Sequence, residues 1–409
     1  MVYKVLLFLM FRSFYLRLVL VVCVWAGILS SASIAFGAQW SVEPVLHSEG
    51  QFYDNLTLTP EPHHSAWAMK ISPTVGISYA TEILNLKASP KYEHARYFSD
   101  DPIEETFNNY FFPLSGSYRT EVDRLGLDLT INRDNAFLSE LEEAGVATRF
   151  IPRNFGNVRG SWDRSFTERM TVKSSYQYTD VSYDRKGDSR LRDYHVHAGT
   201  VGADFQWTEE LRVHGTVSYA NYYVSSERFR SQGPGLELGF SQRLFETFSL
   251  SGSGGLRNVR TTLGESGQRE KDTTLSWLLN VSLDKEWERS HMAVGYRRTL
   301  NPSGLGVLFI TDRVDLVVDH QLTHALNVSL QGTFSNNDTV GSSSDARGVD
   351  TSRRRYWKVG PAVSWRVTEY WSWNLSYAYA KRKQSGETAD SNNVIMGLTY
   401  TWQKWAVSR

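Results

Sequence analysis

Cysteine is almost absent from this chain, with one residue in 409. That residue, Cys23, lies in the N-terminal apolar run. The rest of the chain therefore cannot form a disulfide, a thiolate zinc site or the cysteine pair that holds a c-type haem. Proline is also scarce, with 11 residues, as long hydrogen-bonded strands require. The formal net charge is +0, so no nucleic-acid partner is indicated.

Long apolar runs are missing after residue 37, where no stretch approaches the ~20 residues that a membrane helix needs. Before that point, basic residues precede the apolar run 18–29, and Ala35 and Gly37 supply small side chains behind it. This order is typical of a secretory signal peptide, and we predict cleavage after Gly37. A retained anchor helix is the alternative. The predicted organisation is a signal peptide at 1–37 and one domain at 38–409.

Catalytic motifs are missing as well. The chain has no Gly-x-Ser-x-Gly elbow, no zinc-binding helix and no phosphate-binding loop, so we do not expect an enzyme. His195 and His197 would share one face of a strand, but a metal ion needs further ligands that the sequence does not place beside them. No catalytic, cofactor or metal site is predicted.

Aromatic residues, in contrast, are plentiful. They make up 13% of the chain, although its mean hydropathy is only −0.38. Many aromatics in a polar sequence are typical of a membrane β-barrel, whose wall is apolar outside, polar inside and ringed by aromatics at both membrane surfaces. One closed sheet of this kind also accounts for the length without several domains.

Apolar and polar residues alternate with period two along most of the chain, as residues 211–219 and 326–334 illustrate. This is the pattern of strands with one apolar face. Such runs predict an all-β fold, a transmembrane antiparallel up-and-down β-barrel of about 18 strands, with 16 as the alternative. The predicted strands include 82–98 and, at the end of the chain, 391–405.

A Thr-Glu pair recurs at intervals of roughly 40 residues, which indicates a repeated strand–turn–strand unit. The copies begin at Thr81, Thr120, Thr167, Thr208 and Thr368, and looser copies lie at Phe245–Thr247, Trp287–Ser290 and Leu322–His324. Short turns at these pairs alternate with longer polar connections, as in outer-membrane barrels whose long loops are extracellular. The predicted long connections are Asp54–Ser65, Leu138–Pro152, Asp184–Arg190, Gly264–Lys271, Asn301–Gly306, Ser335–Ser352 and Lys383–Asp390.

The third long connection differs from the others. Ser139 and Glu142 have the spacing of a capping box, which predicts a short helix there. The helix could lie over the barrel mouth as a cap, or it could fold into the lumen. In the second case Glu140, Glu142 and Glu143 are candidates for a constriction.

Charged residues out of phase with the apolar ones must face the lumen. The predicted pore-lining cations are Lys87, Arg119, Arg159, Lys173, Arg212, Arg243, Arg257, Arg297, Arg313, Lys358 and Arg366. Their excess over the carboxylates in phase with them suggests a weak preference for anions. The alternative is that these charges pair across neighbouring strands and only fill the lumen.

The mature start Trp40-Ser41-Val42-Glu43-Pro44, the segment Phe52-Tyr53-Asp54-Asn55 and the spacing of the Thr-Glu turns resemble a known family. It is a β-barrel porin family whose members often accompany exopolysaccharide biosynthesis and export clusters. The resemblance covers the whole mature chain and implies a channel in the bacterial outer membrane. It brings no catalytic residues. Barrels of this kind usually end on an aromatic residue, whereas this chain continues from Trp402 and Trp405 to Arg409.

The leading hypothesis is thus an outer-membrane channel that supports export of an exopolysaccharide. A general diffusion porin for small solutes is the first alternative, and a non-conducting barrel that scaffolds a secretion complex is the second. Expected partners are outer-membrane lipids, including lipopolysaccharide, whose phosphates could meet Arg353, Arg354 and Arg355 at a loop edge. Polysaccharide or its export machinery is a further possible partner. The sequence shows no interface from which to predict an oligomeric state.

Overall fold

The structure, a computed structural model, describes residues 38–99, 106–136, 150–184, 191–224, 229–263, 270–340 and 353–408. The predicted signal peptide at 1–37 lies outside these residues. The described residues form one sheet of 20 strand segments, in which all neighbouring segments pair antiparallel. Within the same part of the chain, no helix is long and apolar enough to cross a membrane.

The segments are numbered in chain order. They are β1 (Gln39–Tyr53), β2 (Ala66–Ala80), β3 (Leu84–Ala88), β4 (Lys91–Ser99), β5 (Thr106–Arg119), β6 (Asp123–Asn135), β7 (Pro152–Thr167), β8 (Met170–Tyr183), β9 (Tyr194–Gln206), β10 (Leu211–Val224), β11 (Phe229–Phe245), β12 (Phe248–Leu263), β13 (Glu270–Glu286), β14 (Ser290–Pro302), β15 (Leu308–Gln321), β16 (Leu326–Thr339), β17 (Arg354–Arg366), β18 (Trp371–Gln384), β19 (Glu387–Thr401) and β20 (Trp405–Ser408).

The sheet closes on itself because β19 pairs antiparallel with β1, from Val45 opposite Thr401 to Tyr53 opposite Asn393. Two pairs of segments lie end to end: β3 and β4 both run between β2 and β5, and β19 and β20 both run along β1. Counting each of these pairs once reduces the 20 segments to 18 strands. The predicted antiparallel barrel of about 18 strands is confirmed, and the alternative of 16 is wrong.

The two end-to-end pairs correct the predicted boundaries. The strand predicted at 82–98 is interrupted at Ser89 and Pro90, where proline cannot donate a ladder hydrogen bond. Its carbonyl oxygen instead accepts from the Val75 N–H at 3.0 Å. The last strand was predicted at 391–405, but it starts at Glu387 and resumes at Trp405, where it pairs with Val42 of β1.

The connections are short at one rim and mostly longer at the other, here called the short-turn rim and the long-loop rim. One predicted long connection is wrong. At Lys383–Asp390, β18 and β19 continue to a two-residue turn formed by Ser385 (φ 53°) and Gly386 (φ 87°). Two successive positive φ values match the twist of paired strands, so the hairpin needs no loop.

The recurrent threonine organises the short turns. In five turns its hydroxyl oxygen accepts the backbone N–H three residues later at 2.9–3.0 Å, as Thr368 does from Trp371. A looser copy at Thr323 does the same with Leu326 at 3.0 Å. Threonine is therefore repeated because its side chain satisfies a donor that the sheet leaves unpaired at the turn.

Side chains on the two faces of the wall differ in kind. On β1, Trp40, Val42 and Phe52 point outward, while Glu49 and Tyr53 lie on the opposite, inner face. The register carries this alternation from strand to strand around the barrel. Nearly all buried apolar residues are inward-facing residues or loop residues near the long-loop rim, where they form two clusters.

Candidate functional site

The outer face of the barrel is an exposed apolar surface. Trp67, Leu238 and Leu275 are 61%, 64% and 66% exposed, although large apolar side chains normally avoid water. Outward tryptophans lie near the short-turn rim, as at Trp207 and Trp287. Such a wall, closed on itself and ringed by aromatics, is that of a transmembrane barrel. Barrels of this kind lie in the bacterial outer membrane, which confirms the predicted location.

All 11 predicted pore-lining cations lie on the inner face, in phase with Glu49 and Tyr53 and out of phase with the exposed apolar residues. They do not form one site. Four of them, Arg119, Arg212, Arg243 and Arg366, lie near the short-turn rim, and the others are distributed higher on the wall. Their part in conduction stays a prediction.

Three of these cations come together on β14, β15 and β17. Arg297 and Arg313 are direct cross-strand neighbours, and both contact the Asp315 carboxylate, at 3.2 Å and 2.9 Å. The Thr333 hydroxyl also donates to Asp315, at 2.9 Å, and Lys358 is the cross-strand neighbour of Thr333. Lys358 lies two strands from Asp315, and two arginines share that one carboxylate in this part of the lumen wall. We call it the basic cluster.

Other predicted cations differ in how they are compensated. Lys173 forms an ion pair with Asp204 at 2.6 Å, as the pairing alternative requires. Arg212 instead donates to the neutral oxygen of Gln206 at 3.0 Å. Arg257 donates to the Ser218 hydroxyl at 3.1 Å and lies near the Glu237 carboxylate of β11. Cross-strand pairing therefore neutralises only some of the cations.

A loop closes part of the lumen at the long-loop rim. Residues 303–307, here the second mouth loop, connect β14 to β15 and reach the inner face of β8–β10. The Tyr222 hydroxyl donates to the Ser303 carbonyl at 2.9 Å, and the Arg192 N–H donates to the Gly304 carbonyl at 2.6 Å. Leu305 and Val307 are buried in one cluster with inward side chains of these strands. In the sheet, β11–β13 lie between β10 and β14. The loop therefore spans the lumen between two parts of the barrel wall that are not adjacent.

Residues 54–65, here the first mouth loop, fold inward from the other side. Leu56 and Leu58 are buried with the inward Tyr97 and Tyr356. Leu58 is in the left-handed region (φ 48°), and its carbonyl accepts from Arg382 at 2.9 Å. Both mouth loops lie inside the mouth and not above it.

The Tyr53-Asp54-Asn55 motif anchors the first mouth loop at the closure of the barrel. The Asp54 carboxylate accepts the backbone N–H and the side-chain amide of Asn392 on β19, both at 2.6 Å. The Asn55 amide donates to the carbonyls of Thr59 and Asp390, at 2.8 and 2.9 Å. The motif therefore holds the loop to the last strand.

The predicted constriction residues Glu140, Glu142 and Glu143 lie outside the described residues. The end of the same connection is described: Phe150 stacks on the inward Phe107 with ring centroids 5.0 Å apart, and Ile151 belongs to the cluster around the second mouth loop. The inward folding of the two mouth loops was missed from the sequence. Their signal was the apolar residues Leu56, Leu58, Leu305 and Val307 inside otherwise polar connections.

His195 and His197 face outward on β9. The rings of His195 and Tyr223 pack at 4.9 Å, and His197 contacts the Tyr176 hydroxyl at 2.6 Å. The described residues contain no group of three or more histidine, cysteine, aspartate or glutamate side chains that could hold a metal ion.

No known protein family matches the chain, and no curated protein matches it. Solved structures resemble it at low identity. They include OccK5 (OpdH) of Pseudomonas aeruginosa (11% identity, 88% of this chain and 98% of that chain, TM-score 0.45) and OccAB3 of Acinetobacter baumannii (10%, 90% and 99%, 0.45). The outer membrane protein OpdK of Pseudomonas aeruginosa is similar at 11% identity over 90% of this chain and 99% of that chain, with a TM-score of 0.48. At these identities the likeness concerns the fold alone.

Proposed function

We propose that the protein is an outer-membrane channel for passive diffusion of small polar solutes, with a weak preference for anions. The observation that carries the proposal is a polar, partly uncompensated basic wall inside an apolar outer wall. A small hydrated anion that enters the lumen would meet the basic cluster, in which Arg297 and Arg313 share the carboxylate of Asp315. Fixed cations along a pore favour anions by simple electrostatics.

The mouth favours small solutes over a polymer. The two mouth loops are held inside the lumen by buried apolar residues and by hydrogen bonds to the opposite wall. Both loops narrow this end of the lumen, and a polysaccharide chain needs a wider opening than ions and small solutes do. The diffusion channel therefore replaces export as the leading hypothesis.

Conductance in planar bilayers tests the proposal and separates a channel from a scaffold. We expect discrete conductance steps and, in a salt gradient, a reversal potential that indicates more permeant anion than cation. A barrel that inserts without conducting would instead support the scaffolding alternative. A preference for cations would contradict the anion part of the proposal.

Variants of the basic cluster make the test specific. The double variant Arg297→Gln and Arg313→Gln should shift the reversal potential toward cations, and Asp315→Asn should shift it toward anions. Lys285→Gln is the matched control, because Lys285 lies on the outer face, where its ammonium is near the rings of Phe248 and Trp287 at 5.7 Å each. An equal shift in this control would show that the wall cluster does not set the selectivity.

A further inference from the structure

Three cations lie together on the outer face near the long-loop rim. Arg355 of β17 is the direct cross-strand neighbour of Lys383 of β18, and Trp357 is the neighbour of Lys381 two residues further along. All four side chains point outward. The Lys381 ammonium lies 5.9 Å from the centre of the Trp357 ring. We call Arg355, Lys381 and Lys383 the outer basic triad.

The triad has no carboxylate partner among the described residues within 4.0 Å, although Asp390 is the cross-strand neighbour of Lys381. Like charges directly opposite one another on a sheet are unfavourable. Nearby cations on the same face are compensated: Arg353 donates to Asp338 at 3.0 Å, which raises the pKa of Arg353, and Arg298 pairs with Asp312 at 2.8 Å. The triad therefore places three cations beside one directly opposite carboxylate among the described residues, an excess of positive charge that favours an anionic ligand.

The position of the triad relative to the membrane boundary indicates the kind of anionic ligand. Trp357 is 49% exposed and faces outward, and below it on the same face lie Val359 and Tyr379. Tryptophan in such a position marks the boundary between hydrocarbon and headgroups. Arg355 is two residues nearer the rim than Trp357, which is roughly 5 Å higher for a strand tilted by ~45°. This is the level at which lipid phosphates lie.

We propose that the outer basic triad binds the phosphate groups of the phosphorylated saccharolipid in the outer leaflet, with Trp357 packed against its acyl chains. Arginine and lysine both bind phosphate, and a basic patch at a membrane surface recognises anionic headgroups. The inference rests on the outer-membrane location of the barrel and not on conduction. The remaining arginine of the run, Arg354, takes no part, because it points inward and packs on the Phe309 ring at 5.0 Å.

The test measures binding of purified bisphosphorylated lipid A to the refolded full-length mature barrel in detergent. We expect saturable binding that falls by roughly tenfold or more when Arg355, Lys381 and Lys383 are all changed to glutamine. Dephosphorylated lipid A should bind both proteins equally and weakly. Lys285→Gln, which removes one outward cation at the short-turn rim, should bind lipid A as the unmodified protein does.

Equal affinity of the triple variant and the unmodified protein for lipid A would overturn the proposal, as would an equal loss in Lys285→Gln. Displacement by an equimolar amount of inorganic phosphate would also overturn it, since the site would then be one for free anions. Strand content by circular dichroism verifies that each variant folds. The triple variant should keep its single-channel conductance, so failure of the lipid proposal and failure of the channel proposal are distinguishable.

Discussion

At the residue scale, single side chains account for the features that repeat in the sequence. The threonine of the short turns is repeated because its hydroxyl accepts an otherwise unpaired N–H, and Asp54 is part of a motif because it joins the first loop to β19. The inward or outward direction of a residue followed from alternation alone. Outward charges such as Arg298 and Lys381 could not be predicted in this way, because near a rim the apolar surface gives way to water and headgroups.

Replacing a turn threonine should destabilise the barrel modestly. In Thr368→Val the Trp371 N–H loses its acceptor at 3.0 Å. Because this rim is open to water, we expect a loss of about 0.5–1.5 kcal/mol in the free energy of unfolding. Urea unfolding of the barrel in lipid vesicles measures the loss.

Thr368→Ser is the control for this substitution, since serine keeps the hydroxyl. It should lie closer to the unmodified protein than valine does. If the two variants are equally stable, the hydrogen bond does not explain the repeated threonine.

At the element scale, strands were predictable and loops were not. A strand leaves a period-two pattern over a dozen residues, so the number of strands and the positions of most turns followed from the sequence. The mouth loops depend on contacts with distant strands, such as that between Ser303 and Tyr222, which no local pattern encodes. The hairpin at Ser385 and Gly386 was mistaken for a loop because its strands are polar near the rim, where no apolar face is needed.

Displacing the second mouth loop should widen the entrance. A Cβ atom on Gly304 would collide with the Tyr183 hydroxyl and lie 2.8 Å from its ring carbon and 3.0 Å from Leu191. We therefore expect Gly304→Val to move the loop out of its buried position and to raise the single-channel conductance.

Gly50→Val serves as the comparison, because a Cβ atom at that position meets nothing within 4 Å. It should leave the conductance unchanged. An unchanged conductance in Gly304→Val, with the protein folded, would show that the loop does not limit ion flow.

At the scale of the whole molecule, the barrel separates two solvents across one sheet. The outer face is suited to hydrocarbon, and the inner face carries the charges that we propose guide solutes. The sequence predicted this separation, since a polar composition that is rich in aromatic residues, together with period-two alternation of apolar and polar residues, is typical of a membrane barrel and not of a soluble fold. It could not predict how much of the mouth is filled, because that depends on packing between loops and opposite walls.

The most direct test of this separation uses neighbouring positions on one strand. The chain has no cysteine beyond Cys23, so in a barrel of residues 38–409 single cysteines can be placed at Glu237, which faces the lumen, and at Leu238, which faces outward and is 64% exposed. The barrel is reconstituted in vesicles, and the reaction of each cysteine with a small water-soluble thiol reagent is timed. Glu237→Cys should react readily, whereas Leu238→Cys should be protected and should give a blue-shifted emission with an environment-sensitive probe. Equal reaction at the two positions, or protection of Glu237→Cys alone, would contradict the account.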